Sequence, residues 1–271
     1  VVAVIDALKL VRPVLAGHAI AGEEMSSVAN RYPDKISGLV YLEAGYAHAL
    51  YDLVHGDLVL DSLQVLKELQ TLQSAMPGQL DLRPARQEAI AQLLQALPQL
   101  EKNLEVEKKF TADILSQIPP ARPQPVPSQA AQPRIAQPPA EALVSSRLIA
   151  SGEQKYTAIP VPGLAIFAIP HDFGPANKGA PAIQALIEAH DLEHGERQIE
   201  AFERQVPSAH VVRLAHATHN ISISNEADVL REMNSFIGSL PYGRRCYCNL
   251  LEYFMSTIKP IAIVTTAVAI L

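Results

Sequence analysis

Pro13-Val14-Leu15-Ala16-Gly17-His18-Ala19-Ile20-Ala21-Gly22 decides the fold. An apolar run, Pro13 to Ala16, reads as a buried strand, and Glu23 to Arg31 reads as a helix directly after it. Small residues recur at the junction, Gly17, Ala19, Ala21 and Gly22, so strand and helix can approach closely around a sharp turn. A strand running straight into a helix in this way is the start of a parallel α/β unit.

The rest of the chain repeats the alternation. Val1 to Lys9 has helical apolar spacing at Val1, Val4, Ile5 and Leu8. Ile36 to Leu42, Val161 to Ile169 and His210 to Leu214 read as further strands, with Ala182 to Arg204 and Glu226 to Ile237 as amphipathic helices. Strands alternating with helices predict a mainly parallel sheet covered on both faces. The stretch 47–156 interrupts this pattern. Asp57 to Gln73 and Pro84 to Phe110 are rich in Leu, Gln, Glu and Ala, a helical composition. Eight prolines between Pro119 and Pro139 then exclude helix. The organisation expected is a core of 1–46 and 157–240, a helical, proline-rich insertion of 47–156 over the strand ends as a lid, and a tail of 241–271. A surface insertion without substrate contact is the alternative.

The 271 residues are 48% hydrophobic and 18% charged, with a formal net charge of −6, a soluble globular profile. No basic cluster exceeds Lys108-Lys109 or Arg244-Arg245, which argues against nucleic acid as a partner. Cys246 and Cys248 are too close for an ordinary disulfide and too few for a zinc site. Val1 to Leu10 lacks the cationic start of a secretory signal. The apolar run in Ile258 to Leu271 falls short of the ~20 residues that span a bilayer, so no membrane span is expected. The compartment stays open, and the absence of an initiator methionine suggests a fragment or processed product.

Gly17-His18-Ala19-Ile20-Ala21-Gly22 resembles the Gly-x-Ser-x-Gly nucleophile elbow of the α/β-hydrolase superfamily, in its esterase and lactonase branches. It departs from that pattern in having Ala19 for serine and Ala21 for the second glycine. The resemblance implies a partial α/β-hydrolase fold covering Val1 to about Gly238, the later half of the family's architecture. It implies hydrolysis of a small-molecule carboxylic ester or lactone without a cofactor. In the family's order of nucleophile, acid and histidine, Ala19 occupies the nucleophile position, Asp172 the acid and His219 the base, with the Ile20 N–H as one oxyanion donor. Asp172 as a plain loop or cap residue, and His216 as the base, are the alternatives. His171 and His18 read as neighbours that pack or hydrogen-bond. With no hydroxyl at position 19, the protein is inactive, residual or serine-free, or it binds ligands without turnover.

His190-Asp191-Leu192-Glu193-His194 offers a rival. On a helix it sets two imidazoles one turn apart, and with Glu193 it has the spacing of a metal-assisted hydrolase. A solvated helix face is the alternative, and no metal is assigned. Loss of the early strands of such a fold would also leave the Pro13–Ala16 strand as a raw sheet edge. The tail Ile261 to Ile270 is expected to cover that surface, within its own chain or by exchange in a homodimer.

Overall fold

The computed structural model describes residues 1–74, 82–118, 154–174 and 181–241, and the backbone of 268–270. The proline run 119–139, both cysteines and most of the tail lie outside the described residues. Two compact units are present, one of Val1–Asp57, Lys155–Gly179 and Ile187–Leu271, the other of Leu58–Gln154 and Ala180–Leu186.

The first unit is an α/β sheet. Its described elements are α1 (Val2–Ala7), β1 (Val14–His18), α2 (Ala21–Arg31), β2 (Gly38–Leu42), β3 (Gly163–Ala168), α5 (Pro181–Gln205), β4 (Ala209–Leu214), α6 (Ile221–Ser224), α7 (Glu226–Ser239) and β5 (Val268–Ile270). The first residues of α5 group with the second unit. Strand order is β4-β3-β2-β1-β5, with β1 to β4 parallel and β5 antiparallel to β1. All four parallel strands expected from the apolar runs are present.

The strands sort their side chains with a period of two, and both faces are buried. Leu15, Leu39, Tyr41, Ala165 and Phe167 face one core with Ile5 of α1, Met25 and Val28 of α2, and Ile199 and Phe202 of α5. Val14, Ala16, Val40, Leu164 and Ile166 face the other core with Ile221, Val229 and Phe236 of α6 and α7. Continuous apolar runs are the sequence signature of strands buried on both sides. β4 is less buried, as an edge strand should be, and its Arg213 reaches Glu196 and Glu203 of α5. A charged edge discourages pairing with other chains.

β1 has a neighbour on each side. Leu15, Ala16 and Gly17 pair with Ile270, Ala269 and Val268 of the same chain, so the last residues cover the edge that the sequence left open.

The second unit is described by itself. Its long helices α3 (Leu58–Ser74) and α4 (Arg83–Ser116) pack on one another, and Gln64 donates to Gln92 at 3.3 Å. Pro98 lies inside α4, where its missing N–H removes one helical bond. The unit begins at Leu58 rather than at residue 47, because Ala49 and Leu50 are buried in the sheet core. None of the described helices is long and apolar enough to cross a membrane.

Candidate active site

The site lies at the carboxyl ends of the parallel strands, where open α/β sheets hold ligands. Three non-glycine residues there have left-handed backbone: Ala19 (φ 51°) after β1, Glu43 (φ 49°) after β2 and His216 (φ 56°) two residues past β4. Such conformations cluster where a fold is under functional constraint. β1 and β2 are in register from Val14 opposite Gly38 to His18 opposite Leu42. Both strands therefore break at the same level, at Ala19 and at Glu43.

The small residues between β1 and α2 have measurable reasons. A Cβ added at Gly17 would come within 2.8 Å of the Ala21 Cβ and 3.0 Å of the Met25 Sδ. One added at Gly22 would sit 2.0 Å from the Ala44 carbonyl oxygen and 2.9 Å from the Ala49 Cβ. Gly22 thus supplies the close approach, and Ala21 is accommodated because Gly17 faces it. Ala19 accepts hydrogen bonds at its carbonyl from the Gly22 N–H (3.1 Å) and from His48 Nε2 (3.1 Å). Burial holds His48 below its ordinary pKa despite the Ala19 carbonyl and Asp57 pulling the other way. A neutral imidazole is the form that donates there without adding charge. Ile20 is at the N-cap of α2, where the first N–H groups of a helix have no helical acceptor.

Glu43 is the centre of the site and was not foreseen. Its side chain is fully buried. Oε2 accepts from His171 Nε2 (2.8 Å), His219 Nδ1 (3.2 Å) and the Tyr46 hydroxyl (2.8 Å), and Oε1 accepts from the Ala168 N–H. Burial alone would raise its pKa. Hydrogen bonds from His171, His219 and Ala168, with the charge of His171, outweigh that and hold the carboxyl below its ordinary value. Burial beside Glu43 pushes the Tyr46 phenol well up, so it stays a donor.

His171 is clamped at both nitrogens, with Nδ1 2.9 Å from Asp191 Oδ1 and Nε2 on Glu43. Burial would lower it, but the two carboxylates, Glu43 foremost, push it up to about 9. It is therefore an imidazolium at neutral pH. His219 is more open, with a side chain 52% exposed. Its backbone carbonyl accepts from His18 Nε2 at 2.9 Å, and the two rings stand 4.5 Å apart. That contact ties the His219 loop to the residue before Ala19.

Asp172 does not orient His219. It is exposed, and its Oδ1 accepts the Gly174 N–H at 2.7 Å, an ordinary turn contact. The expected hydrogen bond to His219 is made by Glu43 instead: the loop after β3 does touch the His219 loop, but through the Asp172 N–H on the Ala217 carbonyl (2.9 Å), while the Asp172 carboxylate turns back to Gly174. His216 is exposed, its backbone N–H spent on the Pro170 carbonyl. His18 packs and hydrogen-bonds as the sequence suggested. In the rival motif the rings of His190 and His194 are 4.9 Å apart on α5, but Glu193 is taken by Arg197 and Asp191 by His171. A sequence signal for Glu43 did exist: an acid directly after an apolar strand, in Tyr41-Leu42-Glu43-Ala44-Gly45, stands where parallel sheets build sites.

No protein family and no curated protein matches the sequence. The chain is similar to the solved structure of a probable hydrolytic enzyme from Pseudomonas aeruginosa PAO1, at 14% identity, 86% of this chain, 65% of that one and a TM-score of 0.41. It is also similar to a marine microorganism esterase (14%, 86% of this chain, 72% of that one, TM-score 0.36) and to VinJ (15%, 88%, 70%, TM-score 0.35). The chain thus spans just under two thirds of the first of these structures. At that level of likeness the residues of the site, rather than the neighbours, carry the functional reading.

Proposed function

We propose that the chain is a hydrolase scaffold for carboxylic esters or lactones, working without a serine. Its base is His219, oriented by Glu43, beside an elbow that holds Ala19. The observation that carries this reading is the left-handed Ala19 between β1 and α2 with the Glu43–His219 pair tied to the neighbouring His18. Backbone strain at that point is what an elbow needs to present a side chain. A neutral His219 donating from Nδ1 to Glu43 has its lone pair at Nε2, the arrangement of a general base.

Ala19 offers no oxygen, so the nucleophile is water. Nε2 of His219 takes a water proton as the oxygen adds to the acyl carbon. The Ile20 N–H donates to the oxyanion. Collapse of the tetrahedral intermediate expels the alkoxide, which recovers the proton from His219. Such a site retains part of a triad's power: enzymes stripped of a triad member keep roughly 10³-fold over water through oxyanion donors and binding. The missing hydroxyl also favours a second reading, in which the site binds ligand without turnover.

Hydrolysis of a short p-nitrophenyl ester by the wild type, Ala19→Ser and His219→Ala tests these readings. We expect Ala19→Ser to raise turnover at least about a hundredfold, since covalent catalysis divides one hard step into two. Slow wild-type turnover lost in His219→Ala supports the serine-free route. Ligand binding with no turnover in the wild type supports the second reading. No gain in Ala19→Ser means that the assignment of the elbow or of His219 is wrong.

A further inference from the structure

Glu43, His171 and His219 converge from the carboxyl ends of β2, β3 and β4, and one donor atom of each lies within 4.8 Å of the others. His171 Nε2 is 2.8 Å and His219 Nδ1 3.2 Å from the same carboxylate oxygen. In a tetrahedral zinc site, bonds of about 2.0–2.1 Å place ligand atoms about 3.3 Å from each other. Two of the three spacings are thus close to those of ligands sharing one metal and the third is under 4.8 Å; binding would displace the Nε2 proton of the His171 imidazolium and the Nδ1 proton that His219 donates to Glu43. We propose that Glu43, His171 and His219 bind a divalent transition-metal ion of the zinc class, with solvent completing the coordination.

The surroundings are those that metal-binding imidazoles use. Nδ1 of His171 is held by Asp191, the carboxylate–imidazole pairing that orients a ligand and raises its basicity. Glu43 is fixed by the Ala168 N–H and the Tyr46 hydroxyl, so its coordinating oxygen is aimed without an entropy cost on binding. Two imidazoles and one carboxylate suit zinc and its neighbours, whereas magnesium and calcium take oxygen sets of six or more. The half-exposed His219 leaves the fourth position open to water, as in catalytic rather than structural sites. Water bound there is acidified towards neutral pH and becomes an oxygen nucleophile that Ala19 cannot supply. The site stands on ligand geometry and is an alternative to the general-base role of His219, since a metal on Nδ1 would leave Nε2 protonated.

The test is zinc binding by the full chain, stripped with EDTA and titrated with Zn²⁺ against a chromophoric indicator. We expect one equivalent bound at submicromolar affinity, a zinc-dependent rise in Tm, and no competition from excess Mg²⁺. His219→Ala, at an exposed position that should not disturb folding, is expected to weaken binding at least a hundredfold. Asp191→Asn should weaken it about ten- to a hundredfold. Co²⁺ should give visible absorption bands that His219→Ala removes. His190→Ala with His194→Ala, and Cys246→Ser with Cys248→Ser, should keep the affinity. Absence of binding at micromolar Zn²⁺ overturns the proposal. So does zinc that survives His219→Ala, or that is lost with the helix pair or the thiols. Failure here leaves the ester assay standing, and failure of that assay leaves this one standing.

Discussion

In the metal-free protein, raising the pH should destabilise the first unit through one side chain, His171. Its pKa in the folded protein is about 9, against 6.5 ordinarily, because Glu43 and Asp191 hold the charged form. At about 1.4 kcal/mol per pH unit, that difference corresponds to about 3 kcal/mol of stability, counted once for the Glu43–His171 pair. The imidazole is only 12% exposed, so solvent screens little of it. Because the folded pKa lies above the unfolded one, the contribution is complete below pH 6.5. It is lost progressively as the pH rises to about 9 and is gone above that. Urea denaturation at intervals from pH 6 to 10 should show the fall in the wild type, and His171→Gln should remove it while leaving slopes from other groups. NMR of the His171 ring gives the midpoint directly. Parallel stability curves for the two proteins, or a His171 midpoint near 6.5, would refute the clamp.

Gly22→Ala should cost about 3 kcal/mol or more, or abolish folding, because its Cβ would lie 2.0 Å from the Ala44 carbonyl oxygen; thermal melting measures it. In an Ala19→Ser background, Glu43→Gln should lower kcat roughly 10³- to 10⁴-fold while Asp172→Asn leaves it unchanged. Equal losses in the two variants would restore Asp172 to the site. Deleting 258–271 removes β5 and exposes the Leu15–Gly17 edge, so light scattering should report association; an unchanged monomer signal and Tm would mean the strand is dispensable.

The sheet was legible because parallel strands buried on both faces leave runs such as Leu164-Ala-Ile-Phe that survive in one dimension. The close junction of β1 and α2 was legible for a related reason, since tight strand–helix contact leaves small residues at fixed offsets. The site was legible only in part. Of the proposed site, Ala19, Ile20 and His18 stand at the end of β1 and His219 in the loop after β4, where local context points to them. Glu43 meets His219 across 176 positions, and nothing near either residue records that meeting. Family order pointed to the loop after β3, where Asp172 closes a turn and the neighbouring His171 enters the network. The pairing of His171 with Asp191 hid inside a helical motif that read as a different site.

The matched breaks at Ala19 and Glu43 limit which substitutions each position can accept. For L-residues the left-handed region is open to glycine, tolerated by asparagine and aspartate, and closed to β-branched side chains. Two positions with unrelated chemistry, a methyl and a buried carboxylate, should therefore refuse the same residues, valine, isoleucine and threonine. A hydroxyl can be introduced at position 19 as serine but not as threonine, although both carry the same nucleophilic group. In a library randomised at both sites, backbone shape would filter the variants before chemistry could select among them.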